Sequence, residues 1–163
     1  MEMPMTLDWQ PTVLYREGLV EAPIERAWEL MIDYQGYNPT FEGATVTLVD
    51  GERGAEGEVV LIQKVDHETG APARPFFCRT AKLIPPAPGT PAHIVWYLWT
   101  DDDELRNFVD FGLRQDERGV VFSISDYTQD RLEGEALARS RDGLASFLPL
   151  LIAIFQKHCK ENA

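Results

Sequence analysis

The sequence predicts an α+β protein: a curved antiparallel β-sheet of about six to seven strands wrapped around one long C-terminal helix, with a cavity between them. Three observations carry this. Stretches rich in β-formers follow one another along most of the chain, joined by turns too short for the crossovers that parallel neighbours need. The apolar period then changes from that of a strand to that of a helix after Glu135. Finally, a curved sheet with an apolar concave face has to cover it, and the last segment is long and apolar enough to do so.

The elements follow in order. Val13–Glu21 alternates and reads as a strand. Pro23 suits the first turn of a helix, and Ile24, Ala27, Trp28 and Met31 recur at helical spacing, giving a helix over Pro23–Asp33. Gly36 and Asn38-Pro39 end it. Six strands are expected next: Thr45–Asp50, Glu58–Asp66, Phe76–Ile84, Ala92–Thr100, Arg106–Asp116 and Gly119–Gln129. The last pair meets at a tight turn around Glu117-Arg118-Gly119. From Glu135 to about Lys160, Leu137, Leu144, Leu148, Leu151 and Phe155 mark one helical stripe. Pro149 lies inside it, so a kink or break is expected near Ala145–Pro149. Pro85–Ala92 holds four prolines in eight residues and reads as a stiff connector.

The chain has 163 residues, 15 of them Lys or Arg and 27 Asp or Glu, for a net charge of −12. With 44% hydrophobic residues this fits one globular domain, 1–163, with residues 1–12 as an N-terminal extension. An excess of carboxylates repels phosphates, so nucleic acid is excluded as the expected partner, and anionic membrane surfaces are disfavoured. The longest apolar stretch, around Phe147–Phe155, is roughly nine residues where a membrane span needs ~20, so no stable membrane insertion is expected. No basic region followed by an apolar run opens the chain, and the two cysteines, Cys78 and Cys159, have no metal or redox spacing. A cytoplasmic protein is the expectation.

The segment "VEAPIERAWELMIDYQGYNPTFEGATVTLV" and the C-terminal "ALARSRDGLASFLPLLIAIFQKH" resemble the START-like, helix-grip (SRPBCC) superfamily. That superfamily includes pollen-allergen-like and lipid-transfer proteins, polyketide cyclase/dehydratases and Aha1-type domains. The resemblance covers about Val13–His158 and implies the helix-grip fold, with the last helix gripped by the sheet. It implies binding proteins and enzymes alike, since one fold hosts many functions.

Candidate site residues come from two sets. The pocket is expected to involve Trp28, Tyr37 and Phe41 near the first helix, and Phe77, Arg79, Trp96, Phe111 and Phe122 on the strands. Phe147 and Leu151 would close it from the long helix. The ordinary alternative for each aromatic is core packing. Phe77, Trp96, Phe111 and Phe122 are assigned to the concave face, with Arg79 beside Phe77, where a guanidinium needs a carboxylate or an anionic ligand. Asp126 shares parity with Phe122 and Ile124, so it could act as an acid or base with a raised pKa; its ordinary alternative is a solvated strand end. Asp110 is expected to face solvent.

No metal and no cofactor are expected. His67, His93 and His158 are far apart, Asp101–Glu104 lacks a calcium-loop pattern, and no phosphate-binding glycine motif or nucleophile elbow is present. Three functions are ranked. The first is binding of a small hydrophobic or aromatic, lipid- or polyketide-like molecule between sheet and helix. The second is a polyketide cyclase/dehydratase-like enzyme with Asp126, Arg79 and Tyr127 as catalytic candidates. The third is an Aha1-like interaction domain. The oligomeric state stays open, a homodimer being one option that an edge strand allows.

Overall fold

The computed structural model describes residues 12–33, 43–66, 68–101, 106–128 and 134–161. The strands are β1 (Thr12–Val20), β2 (Thr45–Asp50), β3 (Val59–Gln63), β4 (Phe76–Ile84), β5 (Ala92–Trp99), β6 (Arg106–Asp116) and β7 (Gly119–Thr128). Helix α1 spans Ile24–Ile32 and helix α2 spans Gly134–Glu161. The strands form one antiparallel sheet in the order β1-β7-β6-β5-β4-β3-β2. Strands β2 to β7 are a meander, as short turns between sequence neighbours dictate. Strand β1 closes the row beside β7, so β1 and β2 are the two edges.

Both helices pack on the same side of the sheet. Helix α2 lies against β1, and α1 lies against α2, β5 and β6. Alternation then sorts the strand residues. Leu14 and Val20 of β1, Val60 and Ile62 of β3, Ile94 and Trp96 of β5, Phe111 and Leu113 of β6, and Phe122 and Ile124 of β7 face the helices and are buried. All of these but Leu14 join Ala27 and Met31 of α1 and Leu148, Leu151, Phe155 and Cys159 of α2 in one core cluster. Gly18 marks the closest approach of α2 to β1, because a Cβ there would run into the Ile152 side chain.

Of the kink or break expected near Pro149, the break does not occur: helix α2 runs through Pro149 as one helix. Proline removes the donor for the Ala145 carbonyl, but both residues are exposed and water can serve the orphaned group. Burial of Leu148 and Leu151 on the opposite side holds the helix together across the fault. Strand β3 is shorter than its apolar stretch: beyond Gln63 the chain leaves the ladder, and Val65 keeps an isolated bridge to Pro72.

Candidate functional site

The inner face is built as rows of side chains running across the strands. One row is Thr80–Trp96–Val109–Asp126–Leu14, fixed by the pairings of β4 with β5, β5 with β6, β6 with β7 and β7 with β1. On one side of it lie Ala92, Leu113, Phe122 and Gly18. On the other side lie Val60, Cys78, Leu98 and Asn107.

The two ends of this face differ. At the first, the aromatic rings interlock: Trp96 meets Phe111 edge-on at 4.7 Å, Phe111 meets Phe122 at 6.0 Å, and Phe122 meets Phe155 of α2 at 5.7 Å. The space beneath the end of α1, between Ile32, Gly54, Thr80, Leu83 and Ile94, is about 10 Å³, room for one water at most. At the second end the seal loosens. Inward-facing Leu98, Val109, Leu144 and Phe147 are only half-buried, although they pack against the core cluster. On α2 the change is abrupt: no residue from Gly134 to Phe147 is fully buried, whereas Leu148, Leu151, Phe155 and Cys159 are.

Asp126 sits at this looser end. Its Oδ1 accepts a hydrogen bond from Asn107 Nδ2 at 3.1 Å, across the β6–β7 ladder. Burial pushes the Asp126 carboxyl pKa up, and the Asn107 bond offsets that only in part. The Asn107 Oδ1 is shut off from solvent and has no hydrogen-bond partner. The sequence reading had Asp126 but missed Asn107. The signal was available: the tight turn pairs Asp116 with Gly119, and counting back from it places Asn107 and Asp126 as diagonal neighbours on one face.

No protein-family model and no curated protein matches the sequence. Solved structures do match. Ara h 8.0201 superposes with a TM-score of 0.67 at 10% identity, covering 93% of this chain and 99% of that one. The AHSA1-like protein from Aeromonas hydrophila gives 0.58 at 15% identity, covering 90% and 94%. The di-domain ARO/CYC BexL from the BE-7585A biosynthetic pathway gives 0.57 at 11% identity, covering 91% of this chain and 50% of that one. The chain has the helix-grip fold. At these identities the likeness is one of fold, and the chemistry of this helix-grip chain has to be read from its own side chains.

The structure brings part of the expected pocket set together. Trp96, Phe111, Phe122 and Leu151 lie in the core cluster, and Trp28 and Phe147 pack half-buried against it. Tyr37 and Phe41 lie outside the described residues. Phe77 and Arg79 require a correction: they point away from the helices, while Phe76, Cys78 and Thr80 point inward. With a pair of adjacent phenylalanines, either parity offers an aromatic to the core, and the small inward Cys78 and Thr80 decide it. A bulge at Thr80/Lys82 then shifts the register, so Leu83 faces inward opposite Ile94.

Tyr127 also lies on the outer face, 38% exposed, so the catalytic trio of Asp126, Arg79 and Tyr127 is split between two sides of the sheet. The outer face carries its own aromatic row. Phe77 stacks on Trp99 at 5.3 Å, Trp99 on Tyr97 at 5.3 Å, and Tyr97 meets Phe108 at 4.7 Å. Asp110 lies on this face as expected, but half-buried, with Oδ1 2.8 Å from His93 Nδ1.

Other polar clusters serve the framework. Glu58, 2% exposed, accepts the Gly54 N–H at 2.8 Å and so ties the β2–β3 turn to the sheet. Glu17 joins β1 to β6 through Arg114 at 2.6 Å and to the β6–β7 turn through Arg118 at 3.1 Å. The proline loop walls a surface groove of about 400 Å³ with Ile24, Glu25, Arg114 and Gln115, separate from the inner face. Among the described residues, no group of three His, Cys, Asp or Glu could hold a metal ion, and no helix is long and apolar enough to cross a membrane.

Proposed function

We propose that the protein binds a small apolar or aromatic molecule between the sheet and the N-terminal half of α2. The supporting observation is the change along the inner face. Interlocked rings fill one end, while Leu98, Val109, Leu144 and Phe147 stay half-buried at the other, around a polar pair. Half-buried apolar walls with a few convergent polar groups are the ordinary make-up of a ligand site. A cytoplasmic setting fits two free, buried cysteines.

Titration with 1-methylnaphthalene, followed by its fluorescence, tests this reading. Saturable binding weakened by Phe147→Ala or Val109→Ala is expected. Absence of saturable binding overturns it.

An acid–base enzyme of the cyclase/dehydratase type is a second reading, and one observation favours it: Asp126 is desolvated and its pKa is raised. With Arg79 and Tyr127 on the outer face, this reading rests on Asp126 with Asn107. Loss of turnover of a polyketide-like substrate in Asp126→Asn, with ligand binding retained, supports it.

A further inference from the structure

The polar pair at the looser end has a one-sided hydrogen-bonding capacity. Asp126 has Asn107 as its partner, and that bond uses Oδ1. The second carboxylate oxygen, Oδ2, is left as an acceptor with nothing in the described structure donating to it. Asn107 has spent an amide N–H on Asp126, and its Oδ1 is a second acceptor without a partner. The amide is held in this sense by charge: turned over, it would set its oxygen against the carboxylate. Two acceptors therefore remain on adjoining strands.

Among the described residues, no basic side chain offsets the carboxylate: burial and the Asn107 hydrogen bond are what act on Asp126 there. Arg79, which the sequence reading put in the pocket as an anion receptor, points to the other side of the sheet. A desolvated carboxylate without a counter-charge is costly to keep, and so is a sealed acceptor without a donor. The cross-strand row that holds Asp126 also holds Val109 and Trp96, so apolar and aromatic surface adjoins the acceptors. Aromatic faces accommodate cations as well as apolar rings.

We propose that the ligand is an apolar or aromatic molecule carrying a protonated amine, whose ammonium donates to Asp126 and Asn107 while its hydrocarbon part lies against Val109, Leu98, Leu144 and Phe147. An ammonium has donors for both acceptors and supplies the missing positive charge. A carboxylate-bearing ligand would meet a like charge and two acceptors it could not satisfy. This rests on the proposed ligand-binding reading and names the chemical class that the site selects.

Three probes with one ring system test it at pH 8 and moderate salt: 1-naphthylmethylamine, 1-methylnaphthalene and 1-naphthaleneacetate. The protein is expected to bind the amine about 10-fold or more tightly than the neutral hydrocarbon, as a charge-assisted hydrogen bond warrants, and the acetate least. Asp126→Asn should bring the amine down to the neutral probe and leave the neutral probe's affinity in place. Asn107→Leu should reduce the amine's advantage without abolishing it. Equal affinity for amine and hydrocarbon overturns the inference and leaves the ligand-binding reading standing. An amine preference that survives in Asp126→Asn also overturns it, since the net charge of −12 alone would then be the cause. No binding of any probe overturns both. The comparison within the native protein stands even if a variant fails to fold.

Discussion

Phe122 of β7 and Phe155 of α2 meet with ring centroids 5.7 Å apart, and neither is more than 1% exposed. This contact joins the helix to the concave face at its sealed end. Phe155→Ala removes it and leaves a cavity, so a loss of about 3–5 kcal/mol in urea unfolding is expected. Leu150→Ala, on the exposed side of the same helix, should change stability by less than about 0.5 kcal/mol.

Asp126 makes stability depend on pH in an unusual direction for a carboxylate. Its folded pKa is raised above the unfolded value, so between the two the folded state binds more protons. Its contribution is most favourable below the unfolded pKa and is lost as pH rises through the folded one. Asp126→Asn should therefore equal or exceed the native protein in Tm at pH 7, and the gain should vanish near pH 3.5. A variant markedly less stable at pH 7 would contradict this.

Glu17 has the opposite sign. Hydrogen bonds from Tyr15, then Arg114 and Arg118, hold its carboxyl down at about 2, against 4.5 unperturbed. The stability it lends is present above pH 4.5 and is lost as pH falls towards 2. Glu17→Gln should lower Tm at pH 6 by a small amount, because the cluster is at the surface. The difference from the native protein should close between pH 4.5 and 2.

Burial, with the nearby Glu58 charge, pushes the Cys78 thiol up to about 12. The thiolate is the reactive form, so Cys78 should resist a thiol reagent at about pH 8 in the folded protein and react readily once guanidinium unfolds the chain. Labelling of Cys78 under native conditions would mean that β4 opens locally.

The β2–β3 turn depends on Gly51. It has φ of 75°, and a Cβ there would lie 2.7 Å from the Gly57 carbonyl oxygen. Gly51→Ala meets both left-handed strain and a backbone clash, and should cost about 2 kcal/mol or more. Gly54→Ala, with similar φ but open space around it, should cost less. Thermal melts of the two variants separate the clash from the strain.

The sequence by itself determined the order and type of the elements. Short turns forced an antiparallel meander, and a period change after Glu135 announced the covering helix. It grouped Trp96, Phe111 and Phe122 on one face by alternation and Leu151 on the helical stripe, and the four do lie in one core cluster, but alternation alone does not say which face of the sheet is concave. Tertiary structure decided what periodicity leaves degenerate. Phe76 and Phe77 differ by one residue and so by one face; burial of Cys78 and Thr80 turned Phe77 and Arg79 outward, and the bulge at Thr80/Lys82 reverses parity only beyond them. The pairing of Asn107 with Asp126 needed the register of two strands, and the loosening of the helix over them needed the packing of α2 against β1 and α1. Alternation is a local property of one strand, whereas a site is where several strands and a helix meet, and that is set by which surfaces bury each other best.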